Sequence, residues 1–168
     1  INTAIFALLV GIYEEFLCRG WLLNEFLERY GETKKGVWIS IVASGVIFGL
    51  IHFINVSSNG FAGTITQVLS ASASGILFGF IYYRTKNIWS VIFLHAFYDF
   101  ALFLGEVNLV KDCTTGVLSG DVILANIITI SLLSLFWVLS SVYIIKKTNF
   151  PDVKAEKKKV SNALLITG

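Results

Sequence analysis

The sequence contains no methionine, a single proline and only two cysteines, and these scarcities limit the kinds of structure and site that we expect. There is no CxxC pair, and Cys18 lies in an apolar run whereas Cys113 lies in a polar stretch. We therefore expect neither a disulfide nor a cysteine metal site, and Cys18 should be a small buried residue. Because every nascent chain starts with methionine, we expect that residue 1 is not the native start and that further segments precede it.

Charge is scarce as well. Only 14% of the 168 residues are charged, whereas 55% are hydrophobic, compared with roughly 45–50% apolar residues in soluble domains. Apolar segments cover about 3–27, 36–56, 61–83, 88–104 and 122–145, separated by polar stretches that include an uncharged turn at 57–60 and a loop at 105–120. These lengths fit helices that cross a hydrocarbon core of about 30 Å, and the two-residue alternation of a membrane barrel is absent.

We therefore predict an all-α, polytopic transmembrane helical bundle of about five spans. It comprises one core over residues 1–147, which is the truncated part of a longer bundle, and a basic tail over 148–168. Lysines and arginines follow the first, third and fifth segments, whereas the alternate loops hold only Lys111. The positive-inside rule then predicts a cytoplasmic carboxyl terminus, with residue 1 on the opposite side. The lysine-rich tail predicts contact with anionic lipid rather than nucleic acid, because no nucleic-acid-binding module accompanies it.

One segment is rich in small side chains. Ala71, Gly75 and Gly79 lie four residues apart and share one helix face. Small side chains on one face let a neighbouring helix approach closely, so we expect this stripe to serve helix packing rather than to form a substrate groove.

The ionisable residues inside the spans are few, and a carboxylate or guanidinium there costs about 2.5–3.5 kcal/mol in lipid. They are Glu14, Glu15, Arg19, His52, His95 and Asp99, which include both histidines of the chain. Glu15 and Arg19 lie four apart and predict an ion pair on one helix face. Glu14 lies about 100° around that helix, so the same arginine does not satisfy it and it is free for chemistry.

Three separate segments each contribute one polar cluster. His95 and Asp99 share a face, as do Phe48 and His52. Each cluster alone has a structural interpretation: Glu15 and Arg19 neutralise each other, and Asp99 orients the His95 ring. Their joint occurrence in apolar surroundings instead predicts convergence of Glu, His, His and Asp at one hydrolytic site.

These motifs resemble a known family. Glu14-Glu15-x-x-x-Arg19, Phe48-x-x-x-His52 and His95-x-x-x-Asp99 are similar to the three-motif signature of the CPBP family. That family groups CAAX prenyl endopeptidases of the Rce1 type with bacterial bacteriocin-processing and immunity proteins. The resemblance implies a multi-pass intramembrane endopeptidase, expected in a bacterial cell membrane, that acts on a peptide or membrane-protein substrate.

The resemblance also implies roles. Glu14 would be the general base that activates water, and His52 would hold that water. His95 and Asp99 would stabilise the oxyanion or help bind a metal. The other motif residues, Glu15, Arg19 and Phe48, would support these groups, with Glu15 and Arg19 holding the first helix in register.

Asp99 departs from the CAAX-type enzymes, which carry Asn there. An ionised Asp repels an oxyanion, whereas the Asn amide donates to it. Glu14, His52, His95 and Asp99 could instead supply three ligands to Zn²⁺ with an open position for water, although the chain has no HExxH motif. Two other functions stay open: a non-catalytic immunity or scaffold protein, and a proton-coupled transporter.

Overall fold

The computed structural model describes residues 2–114 and four short pieces at 135–136, 139–140, 143–144 and 146–147, with side chains up to residue 103 and in those pieces. All regular structure in these residues is helical, which confirms the predicted all-α class. The elements are α1 (Thr3–Glu15), a π-helical segment (Phe16–Leu23), α2 (Asn24–Tyr30), α3 (Lys34–Ile51), a 3₁₀ turn (His52–Asn55), α4 (Val56–Thr85) and α5 (Ile88–Thr114).

Side chains cap the first helices. Asn2 accepts a hydrogen bond from the Ala4 amide at 3.1 Å, and the Thr33 hydroxyl accepts one from the Gly36 amide at 3.0 Å. Each satisfies an amide that has no partner inside its helix. These caps fix where α1 and α3 begin.

Two predicted loops differ from the structure. The turn predicted at 57–60 is reduced to a kink: residues 57–59 belong to α4, and only Gly60 leaves helical geometry, with a φ of 67° that glycine adopts at little cost. The loop predicted at 105–120 is helical as far as Thr114, and 115–120 lie outside the described residues. Val107 and Val110 lie three apart in that stretch, and Gly105 alone is not enough to end a helix.

The predicted number of spans stays a prediction. Among the described residues, the helical run Lys34–Thr85 is long and apolar enough to cross a membrane, and Ile88–Phe103 is a shorter apolar helix. The fifth predicted segment lies largely outside the described residues, and the tail at 148–168 lies entirely outside them.

Glycines set how closely the helices pack. A Cβ on Gly75 of α4 would lie 3.1 Å from the Gly45 Cα of α3, and one on Gly79 would lie 3.0 Å from a methyl of Ile41. The small-residue stripe therefore serves packing at these positions, as predicted. Gly11 does the same for α1, because a Cβ there would lie 3.1 Å from the Ile92 carbonyl of α5. This approach places the carboxyl end of α1 beside α5.

Apolar side chains lie both inside and outside the bundle. A buried cluster of Leu23, Val37, Ile41 and Phe80 joins the π-helical segment, α3 and α4. The outer faces also carry large exposed apolar residues, including Leu9, Tyr13, Trp21, Leu69, Trp89 and Phe97. An apolar exterior this extensive is typical of a surface that meets lipid or another protein.

Candidate active site

A buried ion pair anchors the site. Arg19 Nη1 donates to Glu15 Oε1 at 2.8 Å, and both side chains are almost completely buried. Arg19 Nη2 donates to the Gly75 carbonyl at 2.9 Å. The guanidinium also lies over the rings of Phe48 and Phe78, at 4.9 and 5.7 Å from their centroids. The pair predicted from spacing is therefore present. Glu15 Oε1 has its donors, whereas Glu15 Oε2 is buried without a hydrogen-bond partner among the described residues.

The π-helical segment carries Arg19. Its hydrogen bonds run from residue i to i+5, which widens the turn that follows Glu15. Such widened turns are frequent at functional sites, and this one begins directly after Glu15 and contains Arg19. The hydrophobic pattern of the first segment contains no signal for it.

His95 shares the carboxylate of this pair. Its Nδ1 lies 2.8 Å from Glu15 Oε1, the same oxygen that accepts from Arg19. An ionised carboxylate only accepts hydrogen bonds, so Nδ1 carries the proton and the ring is held in one orientation. The spacing in the sequence predicts only the contact between Glu15 and Arg19. The two residues in this second contact are 80 positions apart, and no local pattern links them.

Two further carboxylates face the other ring nitrogen. His95 Nε2 lies 3.6 Å from Glu14 Oε2 and 3.5 Å from Asp99 Oδ2. Both distances exceed the roughly 3.2 Å limit of a direct N–H···O bond, so Nε2 lies near both carboxylates but is hydrogen-bonded to neither. The Glu14 side chain is 27% exposed and that of Asp99 is 15% exposed, whereas Glu15 is at 0%. Glu14 is thus the more accessible carboxylate.

His52 begins the 3₁₀ turn at the end of α3. Its backbone amide bonds to the Gly49 and Leu50 carbonyls, so the Phe48 carbonyl lacks its usual partner and accepts from His52 Nδ1 at 3.0 Å. A carbonyl cannot donate, so Nδ1 carries the proton and Nε2 has a free lone pair.

Phe48 connects the two histidines. Its ring meets the His52 ring edge-on at 5.1 Å and the His95 ring edge-on at 5.8 Å. His52 also lies within electrostatic range of Asp99. The structure therefore brings the four predicted catalytic residues, Glu14, His52, His95 and Asp99, into one region.

The charges of the cluster do not balance by themselves. Glu14, Glu15 and Asp99 carry three negative charges when ionised, against one positive charge on Arg19. With both histidines neutral the net charge is −2. Coulomb repulsion at these separations is strong in an apolar interior, so the cluster approaches neutrality only by holding two additional protons. Such a cluster is suited to moving protons.

The side chains do not fit a preformed zinc site. Within residues 2–103 and the short later pieces, no three His, Cys, Asp or Glu side chains are grouped as metal ligands. Nδ1 of both histidines is engaged, by Glu15 and by the Phe48 carbonyl, which leaves Nε2 of each ring as the atom that could bind a metal. A zinc requirement therefore stays a prediction from the sequence, and no step below depends on a metal.

Comparison with known proteins agrees with the motifs. The family model described as type II CAAX prenyl endopeptidase Rce1-like matches residues 1–101, which is more than half of the chain. No curated protein and no solved structure matches. The match ends two residues after Asp99, so it includes all three motifs. The chain belongs to the Rce1-like family of type II CAAX prenyl endopeptidases.

Proposed function

We propose that Glu14 is the general base of an intramembrane endopeptidase that hydrolyses a peptide bond in a membrane-associated peptide or protein. Membership of the family supports a CAAX-protease-like endopeptidase in general. The observation that carries the assignment to Glu14 is its position. Its carboxylate lies 3.6 Å from His95 Nε2 and is partly exposed, whereas the neighbouring Glu15 is fully buried and occupied by two donors.

The first step of the proposed mechanism is attack by water. Glu14 takes one proton from a water molecule, and the free Nε2 lone pair of His52 accepts a hydrogen bond that orients it. The water oxygen forms a bond to the carbonyl carbon of the substrate. The proton held on Glu14 then passes to the leaving nitrogen as the C–N bond breaks, so the products are a carboxylic acid and an amine.

His95 stabilises the negative charge that develops on the carbonyl oxygen. Glu15 accepts the Nδ1 proton, which turns Nε2 toward the open side of the site. When the ring holds a second proton, Nε2–H donates to the oxyanion, and the Glu15 carboxylate stabilises the resulting imidazolium. Asp99 assists only in its protonated form, in which it can also donate.

The membrane arrangement belongs to the same proposal. Five spans with a cytoplasmic carboxyl terminus, in a bacterial cell membrane, are supported by the distribution of basic residues and by a family that is membrane-embedded. Labelling of single cysteines introduced into the tail, from each side of sealed vesicles, checks the orientation. Protection of the tail in inside-out vesicles contradicts it.

The decisive experiment is Glu14→Gln in the full chain, purified in detergent. Cleavage is measured on a quenched fluorescent CAAX peptide, with and without a prenyl group. We expect kcat to fall by about 10²–10⁴ because the variant has lost its general base, with an unchanged melting temperature. Glu25→Gln is the matched control, because Glu25 is exposed and pairs with Arg29 on the surface.

Two results would contradict the proposal. Full cleavage by Glu14→Gln would show that Glu14 is not the general base and that another group activates the water. A wild-type protein that cleaves neither peptide would favour the non-catalytic immunity or scaffold role. A chelator followed by added Zn²⁺ tests the zinc prediction in the same assay, and loss and recovery of cleavage would establish a metal requirement.

A further inference from the structure

A second polar group lies beside the site and takes no part in the mechanism above. We call it the amide cluster: Asn55 at the end of the 3₁₀ turn, Asn59 at the start of α4, and Gln67 further along α4. The Nδ2 atoms of both asparagines donate to the same oxygen, Gln67 Oε1, each at 3.1 Å. This arrangement fixes three side-chain amides in one place.

The cluster begins one turn from a proposed catalytic histidine. His52 and Asn55 are the first and last residues of the 3₁₀ turn. Side chains three apart on a 3₁₀ helix eclipse, with a rise of about 2.0 Å per residue. Their Cα atoms are therefore only about 6 Å apart along the axis, and their side chains leave the turn on the same side.

α4 connects the cluster to the other side of the site. Ser70 lies one turn after Gln67, and its hydroxyl lies 3.1 Å from the hydroxyl of Tyr98, the residue before Asp99. Gly75, whose carbonyl anchors Arg19, lies eight residues after Gln67, or about 12 Å along the helix. The amide cluster thus lies at the end of the site that His52 and Asp99 share, away from the buried ion pair.

The cluster has unused hydrogen-bonding capacity. Within the described residues, the Oδ1 atoms of Asn55 and Asn59 and the Nε2 group of Gln67 make no side-chain hydrogen bond. Asn59 is exposed, and the other two are partly exposed. The cluster therefore offers two acceptors and one donor group without any charge. A peptide backbone offers the complementary groups, N–H and C=O, whereas a phosphate or a carboxylate, which mainly accepts hydrogen bonds, would find only one donor group and would face two acceptor oxygens.

We propose that the amide cluster is a subsite that binds the extended backbone of the peptide substrate next to the scissile bond. This inference rests on the proposed endopeptidase function. Asn55 and Asn59 accept from substrate N–H groups, and Gln67 donates to a substrate carbonyl. Backbone recognition of this kind supplies affinity without selecting a side chain, as in peptides that add a strand to a sheet edge. It holds the substrate extended across His52.

The test measures KM and kcat for Asn55→Ala, Asn59→Ala and Gln67→Ala with the fluorescent peptide. We expect KM to rise about 3- to 10-fold for each variant, the size expected for one or two lost neutral hydrogen bonds, with kcat within about twofold of wild type. Thr66→Ala is the matched control, because its hydroxyl bonds only to the Ala62 carbonyl of its own helix. It should leave KM unchanged.

N-methylated peptides separate binding from a merely structural role. We expect methylation of one backbone nitrogen to raise KM for the wild-type protein and to have little further effect on Asn55→Ala or Asn59→Ala. Unchanged KM in all three variants, or N-methyl effects of equal size in wild type and variants, would overturn the subsite and leave the endopeptidase intact. A lowered melting temperature with a proportional loss of kcat would also overturn it. A wild-type protein that cleaves no peptide would overturn both.

Discussion

The chain contains two Glu–Arg pairs with the same four-residue spacing, ten residues apart. Glu15–Arg19 and Glu25–Arg29 both have an N···O distance of 2.8 Å. The first pair is buried, with side chains 0% and 1% exposed, whereas the second has Glu25 at 40% and Arg29 at 65%. Spacing and distance are equal, so the comparison shows how much the surroundings of a pair matter.

The surroundings give the two pairs different consequences. Arg29 donates to Glu25 through both Nε and Nη2, at 3.0 and 2.8 Å, so this pair has two hydrogen bonds where Glu15–Arg19 has one. Water nevertheless screens it, and exposed pairs of this kind stabilise little. Arg19 has one bond to Glu15, but it also binds the Gly75 carbonyl, and Glu15 binds His95. Removing one partner there leaves a buried charge unpaired, which is the costly outcome.

The largest expected effect comes from breaking each pair in the same way. Arg19→Leu should destabilise the fold by about 3–5 kcal/mol, because Glu15 is left buried without its cation. Arg29→Leu should leave the melting temperature unchanged. Thermal unfolding of both variants in detergent compares them directly. Equal melting temperatures would show that burial does not distinguish the pairs. Glu15→Gln combined with Arg19→Leu should recover part of the loss.

A second prediction changes the surroundings of Arg19, at Gly75 and Phe48, and leaves both residues of the ion pair unchanged. A Cβ on Gly75 would lie 2.9 Å from Phe48 Cδ1 and 3.1 Å from the Gly45 Cα. Gly75→Ala should therefore cost about 1–3 kcal/mol by overpacking and should displace Phe48 from both histidines, lowering kcat.

Gly63→Ala on the same helix is its control. The nearest atom to a new Cβ there is the Asn59 Cβ, at an ordinary 3.5 Å. Alanine should be neutral or slightly stabilising at this position, because it favours the helix by up to about 1 kcal/mol over glycine. Similar losses of stability in the two variants would show that the close approach at Gly75 does not matter.

The third prediction concerns Asp99, a carboxylate that lies beside His95 and the buried pair. Asp99→Asn removes one negative charge beside His95 and keeps a side chain that donates a hydrogen bond, so one additional proton balances the cluster instead of two. We expect a folded protein whose kcat/KM stays within about tenfold of wild type, and a loss of more than that for Asp99→Ala. Complete inactivity of Asp99→Asn would show that the carboxylate itself is needed, as a metal ligand would be.

The smallest effect is expected from salt. Raising the ionic strength from about 0.1 to 1 M shortens the Debye length from about 10 to 3 Å and screens exposed pairs more than buried ones. The hydrogen bond and charge of Glu25 raise the pKa of Arg29 above its already high value, so Arg29 stays charged near neutral pH. Salt should change the melting temperatures of wild type and Arg29→Leu in parallel. A salt-dependent difference between them would mean that the exposed pair contributes measurably.

Local spacing was enough to predict some of these features. Residues four apart on one helix must share a face, so the Glu15–Arg19 pair and the closeness of His95 to Asp99 followed from the sequence alone. The small-residue stripe predicted close helix packing in the same way. Predicting that the three motifs converge needed one further premise. Ionisable residues in an apolar chain are stabilised by pairing with one another inside the bundle.

Other features depend on contacts that no short pattern encodes. The His95–Glu15 hydrogen bond joins α5 to α1, and the amide cluster joins the 3₁₀ turn to the middle of α4. The π-helical segment and the 3₁₀ turn at His52 lie within apolar segments, and no residue spacing there predicts a change of helix type. The polar residues after Leu104 predict a loop, whereas α5 continues to Thr114, where Val107 and Val110 keep helical spacing.

The single oxygen that Glu15 offers to both Arg19 and His95 also bears on how the protein is made. His95 is synthesised 80 residues after Glu15, which at about 5–20 residues per second is a delay of about 4–16 s. During that interval Glu15 lacks one of its two donors. Arg19, four residues away, can pair with Glu15 as soon as the local helical turn forms. The ion pair can therefore form early, and His95 adds the second hydrogen bond when α5 packs against α1.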